Sequence, residues 1–271
     1  MADLHVLQMS SGPNIDTNLT FVESAVSQLP NKHPNLVLLP ECFACFDAPK
    51  QTMFDSAKPA IVEKICERLS ALCNRYGTWI VAGSMAIESQ SCSKYHAASL
   101  VFNDQGECVS RYNKIHLFDA DVADSTQQYR ESDTSLAGEE VVVFDSPWGR
   151  IGQSICYDLR FPELYQQMAQ PDIILVPSAF TEATGQAHWH ALLRARSIEN
   201  QCFVMAANQV SSDDVSRKTY GNSCIYSPWG ELLASKNTTT GLASACFDST
   251  RIRAVRAKMP LDQHKQNRTA F

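Results

Sequence analysis

The stretch GQSICYDLRFPELY, residues 152–165, changes from apolar to polar in its middle. Ile151 and Ile155 belong to an apolar segment that is typical of a buried strand. Pro162 has the fixed φ that suits the first residue of an α-helix, where its missing N–H costs nothing. Cys156 is therefore predicted to lie in a short connection between a strand and a helix. Such a connection suits a reactive group, although most cysteines serve only as packing groups.

Outward from this stretch, apolar segments alternate with amphipathic ones. The predicted strands are His5–Met9, Asn35–Leu39, Thr78–Gly83, Ala97–Phe102, Cys108–Tyr112, Val141–Phe144, Arg150–Ile155, Ile173–Val176, Cys202–Ala207, Cys224–Tyr226, Leu232–Ala234 and Leu242–Phe247. The predicted helices are Ile15–Leu29, Ala60–Tyr76, Pro162–Gln170, His188–Gln201 and Thr250–Lys258, and the segment Asp119–Glu140 is long and polar. Two copies of SPWG, beginning at Ser146 and Ser227, mark equivalent hairpin turns. This order predicts one α/β domain over residues 1–271, with two sheets that are each covered by helices.

The composition argues against several classes of protein. The 271 residues are 44% hydrophobic and 19% charged, which is typical of a globular domain with a large core. A net charge of −6 without a basic stripe argues against nucleic-acid binding. The N-terminus lacks the pattern of a signal peptide, and no run of about 18 apolar residues predicts a membrane span. We therefore expect a cytoplasmic protein whose ten cysteines are mostly reduced.

Three polar side chains follow predicted strands, and each has a plain and a chemical interpretation. Cys156 is either a packing thiol or a nucleophile whose thiolate is favoured by nearby helix N–H groups. Glu41, at the end of LVLLPE, is either a solvated loop acid or a desolvated carboxylate whose pKa rises toward that of a general base. Lys114, in RYNKIHLFD, is either an exposed lysine or a fixed cation aimed at developing negative charge.

Metal-binding and cofactor motifs are weak in this sequence. Cys42 and Cys45 form a C-x-x-C motif without a second pair, and His188 and His190 diverge on a helix. Glycine-rich phosphate loops and the G-x-S-x-G motif are missing from the sequence. We expect neither a metal nor a cofactor.

Taken together, LVLLPE with Glu41, RYNKIHLFD with Lys114 and ICYDLRFPELY with Cys156 resemble the motifs of the nitrilase superfamily of carbon–nitrogen hydrolases, in the same order and spacing. The resemblance extends over nearly the whole chain and includes YRES with Glu131 and the tail VRAKMPLDQHKQ. It implies a four-layer αββα sandwich that pairs as a homodimer, with the tail from about residue 250 in the dimer contact.

The resemblance also implies a mechanism. Glu41 would accept the proton of Cys156, and the sulfur would attack an amide or nitrile carbon. Lys114 and the backbone N–H of Tyr157 would bind the oxyanion. Glu41 would then protonate the leaving ammonia or amine and activate the water that hydrolyses the thioester. Glu131 would hold Lys114 and keep it charged.

Further residues near the motifs are candidates for binding the substrate. Asp158 and Arg160 are expected to form an internal ion pair that braces the turn after Cys156; alternatively, Arg160 binds a substrate carboxylate. Phe180, Thr181 and Thr184 follow the strand ILVPS, where they would form a wall of the substrate pocket.

Within the superfamily, CYDLRFPELY, AFTEATGQAHW, LLRARSIENQ and MPLDQH are most similar to amidases that act on deaminated glutathione. The alternatives are an ω-amidase for α-ketoglutaramate, another amidase or carbamoylase, and a nitrilase. His190 stands where relatives often have glutamate, and Asn222 where histidine is common, so both are candidates for reshaping the pocket. An alternative of another class is a catalytically silent binding protein, against which the intact Glu41, Lys114 and Cys156 argue.

Overall fold

The computed structural model of the chain describes residues 2–30, 34–124, 126–211 and 217–266. Its strands are β1 (Ala2–Gln8), β2 (Asn35–Leu38), β3 (Thr78–Val81), β4 (Met85–Glu88), β5 (Tyr95–Phe102), β6 (Cys108–Asn113), β7 (Asp119–Asp121), β8 (Gln128–Arg130), β9 (Val143–Ser146), β10 (Gly149–Gln153), β11 (Ile173–Leu175), β12 (Phe203–Ala206), β13 (Ser223–Tyr226), β14 (Leu232–Lys236) and β15 (Gly241–Phe247). Its α-helices are α1 (Ile15–Ser27), α2 (Lys50–Ser56), α3 (Pro59–Tyr76), α4 (Pro162–Gln167), α5 (Glu182–Asn200), α6 (Ser249–Lys258) and α7 (Leu261–Gln266). Two 3-10 helices span Glu131–Asp133 and Cys156–Arg160.

The strands form two large sheets and one small ribbon. The first sheet has the order β15-β1-β2-β3-β5-β4, and β6 also pairs with β5. The second sheet has the order β14-β13-β12-β11-β10-β9, and β7 pairs with β8 in the ribbon. In the first sheet β1, β2 and β3 are parallel, and in the second β10, β11 and β12 are parallel. Each sheet therefore has a parallel centre with antiparallel strands beside it.

Alternate residues of the central strands face two different cores, as the period of a strand requires. In β2, Leu36 and Leu38 pack between the two sheets, whereas Val37 and Leu39 pack in the core that also holds residues of α1 and α3. In β11, Ile174 likewise faces the core beneath α4 and α5, away from the other sheet. The layers therefore run helices, sheet, sheet, helices. The predicted four-layer αββα sandwich is confirmed.

Most predicted elements are present with slightly shifted ends, and the main differences lie in short polar elements. Helix α5 begins at Glu182, well before the predicted start at His188. The predicted strands omit β4, and the predicted helices omit α2 and α7. The polar segment Asp119–Glu140 contains β7, β8 and the 3-10 helix Glu131–Asp133. These elements are too short to establish a hydrophobic period, so the pattern of the sequence does not reveal them.

The two SPWG segments form equivalent hairpin turns, as predicted. The first segment begins at Ser146, the last residue of β9, and the second begins at Ser227, directly after β13. In each, the serine hydroxyl accepts the backbone N–H of the tryptophan, from Trp148 to Ser146 and from Trp229 to Ser227. Trp148 is buried between the sheets, whereas Trp229 is 54% exposed. The same local chemistry therefore buries one indole and leaves the other on the surface.

The C-terminal helices pack on their own sandwich. Ile252 of α6 is buried, Arg256 forms an ion pair with Asp172, and the carbonyl of Met259 accepts a hydrogen bond from Gln201. The role of this tail in a dimer stays a prediction, and its last residues, 267–271, lie outside the described residues. No helix in the described ranges is both long and apolar enough to cross a bilayer.

Candidate active site

A buried lysine lies between two carboxylates that come from distant parts of the chain. The Nζ of Lys114, which follows β6, donates to Oε1 of Glu41 and to Oε2 of Glu131, both at 2.8 Å. The side chain of Lys114 is 2% exposed, that of Glu41 is 7% exposed and that of Glu131 is 21% exposed. Burial alone would lower the pKa of Lys114, but the charges of Glu131 and Glu41 hold it well above its usual value. Lys114 is therefore a permanent cation.

Glu41 reaches this position because two backbones approach closely behind it. Gly83 follows β3 and has a left-handed φ of +32°, and a Cβ on it would lie 1.9 Å from the carbonyl oxygen of Pro40. Only glycine fits there. The next residue, Ser84, accepts the backbone N–H of Cys42 through its Oγ at 3.0 Å. The segment that carries Glu41 is therefore fixed from behind.

The second carboxylate oxygen of Glu41 also accepts a hydrogen bond. The backbone N–H of Ala179 donates to Oε2 at 2.9 Å. Burial alone would raise the pKa of Glu41, but the charge of Lys114 and hydrogen bonds from Lys114 and Cys156 bring the pKa below its usual value. The expected rise of this pKa is therefore wrong. Glu41 is an ionised carboxylate that is held within hydrogen-bond reach of the Cys156 thiol.

Cys156 begins the 3-10 helix Cys156–Arg160 in a strained conformation. Its φ is +48°, in the left-handed region that non-glycine residues rarely adopt, and its N–H donates to the carbonyl of Pro177 at 2.9 Å. The predicted turn between a strand and a helix is present. Burial and the charge of Glu41 raise the pKa of Cys156 well above its usual value. The expected thiolate is therefore wrong for the resting protein, because the helix N–H groups do not outweigh burial beside a carboxylate.

The turn after Cys156 is braced by Asp158, but the expected ion pair between Asp158 and Arg160 is wrong. Asp158 is fully buried, and its Oδ2 accepts the hydroxyl of Tyr112 at 2.7 Å and the N–H of Ile155 at 2.8 Å. Its Oδ1 lies 2.7 Å from Nδ1 of His116. These partners occupy both carboxylate oxygens, so Arg160 turns elsewhere.

The guanidinium of Arg160 lies over aromatic rings at the surface of a recess. It sits 5.3 Å from the ring centre of Phe180 and 5.8 Å from that of Tyr157, and its Nη1 is 3.2 Å from Nδ1 of His188. A guanidinium that stacks on rings keeps several N–H groups for another partner. Arg160 is thus placed for the alternative role, which is to bind a substrate carboxylate.

Two hollows meet at Cys156. The larger is a cavity of about 340 Å³, within the range of small-molecule sites. The residues that line it include Glu41, Lys114, Phe118, Tyr129, Glu131 and Arg217. On its other side, Cys156 lines a narrower recess with Phe118, Tyr157, Arg160, Phe180 and Thr184. We refer to these two hollows as the large cavity and the recess. Cys156 thus lines both hollows, of which the recess, at about 10 Å³, is much the smaller.

Comparison with known proteins identifies the family. The model of the carbon–nitrogen hydrolase family matches residues 4–257. The chain belongs to the carbon–nitrogen hydrolase family.

Other members of this family match over nearly their whole lengths. The chain is 39% identical to a deaminated glutathione amidase of Yersinia enterocolitica, covering 98% of this chain and 93% of that protein. It is 33% identical to the omega-amidase NIT2-A of Xenopus laevis, covering 97% of this chain and 94% of that protein. The crystal structure of Nit3 from Saccharomyces cerevisiae, a member of the nitrilase superfamily, matches with a TM-score of 0.85 and 29% identity, covering 98% of this chain and 96% of that one. The predicted family and the predicted class of enzyme, an amidase of the carbon–nitrogen hydrolases, are confirmed.

In this carbon–nitrogen hydrolase the predicted pocket residues divide into two groups. Phe180 and Thr184 line the recess beside Arg160. Thr181 lines neither hollow; it is buried and caps α5, where its Oγ1 accepts the N–H of Thr184. In the described part of the chain, no group of three or more His, Cys, Asp or Glu side chains is arranged to hold a metal ion.

His190 and Asn222 also lie outside both hollows. His190 is 2.9 Å from the hydroxyl of Tyr226 through its Nδ1. Asn222 has a φ of +56°, which asparagine tolerates, and its carbonyl accepts the indole N–H of Trp189. Trp189 in turn packs against Phe180. Asn222 is thus connected to the recess only through Trp189 and Phe180, and an effect of His190 or Asn222 on specificity stays a prediction.

Sequence reasoning missed two groups of the site. The N–H of Ala179 on Glu41 is a backbone contact, which leaves no trace in residue types. Arg217 lines the large cavity from a polar segment, SSDDVSRKTYGNS, that carries no recognisable motif. Its interaction with the site depends on the fold alone.

Proposed function

We propose that this carbon–nitrogen hydrolase cleaves the ω-amide bond of deaminated glutathione through a thioester on Cys156. The catalytic residues are Glu41, Lys114 and Cys156, and Glu131 positions Lys114. The observation that carries the proposal is the buried cation of Lys114, which is shared by Glu41 and Glu131 in the cavity that Cys156 also lines.

In the first half of the reaction, the sulfur of Cys156 bonds to the amide carbon. Because the pKa of the thiol is raised and that of Glu41 is lowered, the proton passes to Glu41 as the S–C bond forms rather than before it. The amide oxygen becomes an oxyanion near Nζ of Lys114. The N–H of Tyr157 is a second donor, and no backbone acceptor takes it among the described residues. One such donor typically lowers the barrier by about 2.7–4 kcal/mol.

In the second half, the same groups act in reverse order. Glu41 gives its proton to the departing amide nitrogen, the C–N bond breaks, and the amine leaves with a neutral nitrogen. Glu41, ionised again, takes a proton from a water molecule, and the oxygen of the resulting hydroxide bonds to the thioester carbon. The C–S bond breaks, and the sulfur leaves with the proton from Glu41. The free acid and the resting thiol remain.

We assign the acyl half of such a substrate to the side of Cys156 that faces Arg160. Deaminated glutathione is a 2-oxo acid at one end, so its acyl half has a carboxylate next to a ketone. Arg160 supplies a planar cation for that carboxylate, Thr184 supplies a hydroxyl, and the ring of Phe180 covers the chain between them. The same acyl half is present in α-ketoglutaramate, which is therefore the second candidate substrate.

We also propose the setting in which the enzyme works. The reaction would return a by-product of transamination to 2-oxoglutarate and cysteinylglycine, which is metabolite repair. All ten cysteines are free, which favours a reducing compartment such as the cytoplasm. An exposed apolar patch formed by Ile198, Trp229 and Leu232 favours a homodimer.

The test is a measurement of 2-oxoglutarate released from deaminated glutathione and from α-ketoglutaramate. An N-carbamoyl amino acid and a simple nitrile, followed by ammonia release, complete the panel. We expect turnover of the first two, with deaminated glutathione preferred in kcat/KM. Selective turnover of the carbamoyl compound or the nitrile would overturn the proposed substrate.

The matched blank is Cys156→Ala. We expect this variant to have no turnover and a melting temperature close to that of the parent, and Cys156→Ser to be very slow because a hydroxyl is far less acidic than a thiol. Near-normal rates in Cys156→Ala would overturn the proposed mechanism.

A further inference from the structure

Three cations line the large cavity, and two of them are already paired. Lys114 is held by two carboxylates. Arg130 forms an ion pair with Asp121 through Nη2 at 2.8 Å and donates from Nη1 to its neighbour's carbonyl. The third cation, Arg217, has a different environment.

The guanidinium of Arg217 lies between two aromatic rings. Its carbon Cζ is 5.3 Å from the ring centre of Phe46 and 5.0 Å from that of Tyr129. Its Nη2 donates a long hydrogen bond of 3.3 Å to the carbonyl of Ala179. Its Nε is buried and has no hydrogen-bond partner among the described residues. The backbone N–H of Arg217, and not its side chain, donates to the carboxylate of Asp47 at 3.4 Å.

A buried donor without an acceptor is uncommon in native proteins, because its desolvation is not compensated. The two rings fix the plane of the guanidinium but use none of its N–H groups. An oriented guanidinium with unused donors fits a carboxylate, which can accept two parallel N–H bonds. The environment of Arg217 therefore indicates a missing anionic partner on the side of the large cavity.

The substrate proposed above carries two carboxylates, one on each side of the bond that breaks. One belongs to the 2-oxo acid and the other to the glycine of the leaving cysteinylglycine. Arg160 lines the recess and Arg217 lines the large cavity, and Cys156 lies where these hollows meet. The two cations thus flank the nucleophile as the two carboxylates flank the scissile amide.

We propose that Arg217 binds the carboxylate of the leaving group and so makes the enzyme selective for amides whose amine half is a peptide with a free terminal carboxylate. The inference rests on the proposed function. The large cavity, at about 340 Å³, has room for a dipeptide, and Arg217 lines it together with Cys156. Binding at this distant carboxylate holds the amide carbon over the sulfur, so part of its energy is used for orientation.

The proposal separates the two candidate substrates. Deaminated glutathione has a carboxylate for Arg217. The leaving group of α-ketoglutaramate is ammonia, which has none. Arg217→Gln should therefore lower kcat/KM for deaminated glutathione by about 10- to 100-fold, as expected for the loss of a hydrogen-bonded charge pair. Turnover of α-ketoglutaramate should stay within threefold of the parent, which also serves as the test that the variant is folded.

A modified substrate provides the second arm of the experiment. The analogue of deaminated glutathione that ends in glycinamide lacks only the distant carboxylate. The kcat/KM of the parent for this analogue should be about as low as that of Arg217→Gln for deaminated glutathione. The kcat/KM of Arg217→Gln for the analogue should be only slightly lower still, as a double-mutant cycle requires. Arg217→Lys should recover part of the lost kcat/KM, because it restores the charge without the planar fork.

Several outcomes would overturn the inference. Arg217 also helps to lower the pKa of Glu41, so an equal loss of kcat on both substrates would indicate an effect on Glu41 rather than on the leaving group. If the parent is active and Arg217→Gln has the same ratio of kcat/KM for the two substrates, the role of Arg217 is refuted but the proposed function is not. A parent that hydrolyses neither substrate would refute the proposed function and this inference with it.

Discussion

At the scale of single residues, Lys114 is a buried cation whose two carboxylate partners determine what it can do. Without them, burial would favour the neutral amine, which could act as a base. With them, its pKa lies well above the usual value, so the amine keeps the charge that the proposed mechanism requires for the oxyanion. Glu131 also accepts the backbone N–H of Phe118, so its position is fixed by the chain as well as by the lysine.

We expect Glu131→Gln to lower kcat by on the order of 100-fold with little change in KM. The amide retains the shape of the side chain and can still accept from Phe118, but it removes one of the two charges that hold Lys114 in place. Steady-state kinetics on deaminated glutathione and on α-ketoglutaramate would show the same loss for both substrates.

The control is Asp133→Asn, which removes a negative charge from an exposed residue of the same 3-10 helix. It should leave kcat within twofold of the parent. If both variants lost activity equally, the effect would come from the general negative charge of this segment rather than from the contact with Lys114.

The sequence predicted the identity of these residues better than their protonation. Glu41, Lys114 and Cys156 each stand in a recognisable motif within three residues of the end of a strand, and the structure brings all three together at the large cavity. The direction of the pKa shift of Glu41 could not be predicted, because it depends on a lysine 73 residues away. Arg217 could not be predicted either, because its significance lies in two rings and one unsatisfied N–H that only the fold assembles.

At the scale of elements, α5 connects the recess to the turn that carries Cys156. Near its C-terminal end, Arg196 donates from Nε and Nη2 to the carbonyl of Leu159 at 3.2 and 2.8 Å. At its N-terminal end, Thr181 caps the first turn. The sequence placed this start later because Gly185 interrupts the helical pattern. Gly185 is needed for packing, since a Cβ on it would lie 2.3 Å from the side chain of Tyr220.

Thr181 is expected to contribute to stability rather than to substrate binding. Thr181→Ala should lower the free energy of unfolding by about 1 kcal/mol, as for other lost N-caps, with KM within twofold of the parent. Thr181→Ser should retain both values, since its hydroxyl can still accept the N–H of Thr184. Urea unfolding and steady-state kinetics on the same preparations would measure the two effects.

The control is the same substitution at a threonine that does not cap a helix. Thr20 is exposed in the interior of α1, where alanine is the better helix former, so Thr20→Ala should be neutral or slightly stabilising. A rise of tenfold or more in KM for Thr181→Ala that Thr181→Ser reverses would instead assign Thr181 to the substrate pocket.

At the scale of the whole molecule, the facing surfaces of the two sheets form a buried core, and a few large apolar side chains stay exposed elsewhere. The count of strands and helices predicted two sheets covered by helices, and the resemblance to the nitrilase superfamily implied the four layers. The patch of Ile198, Trp229 and Leu232 was not visible in the same way. Trp229 belongs to an SPWG turn whose twin buries its tryptophan, and only the fold distinguishes the two.

The patch is compact, because Ile198 of α5 lies against Gly230 of the turn beside Trp229. Its three members are 42%, 54% and 49% exposed, in chain order. We expect the parent to sediment as a dimer and Trp229→Arg to weaken the dimer at least tenfold, since a charge would be buried without a partner at the contact. Sedimentation velocity over a range of protein concentrations measures this shift.

Val109 provides the matched control, because it is an equally exposed apolar residue, at 42%, on β6 of the other sheet. Val109→Arg should leave the dimer unchanged. A parent that stays monomeric at all concentrations would contradict the dimer, and equal weakening by both variants would contradict the patch as its contact. If Trp229→Arg is monomeric and retains the kcat of the parent, each protomer carries a complete active site.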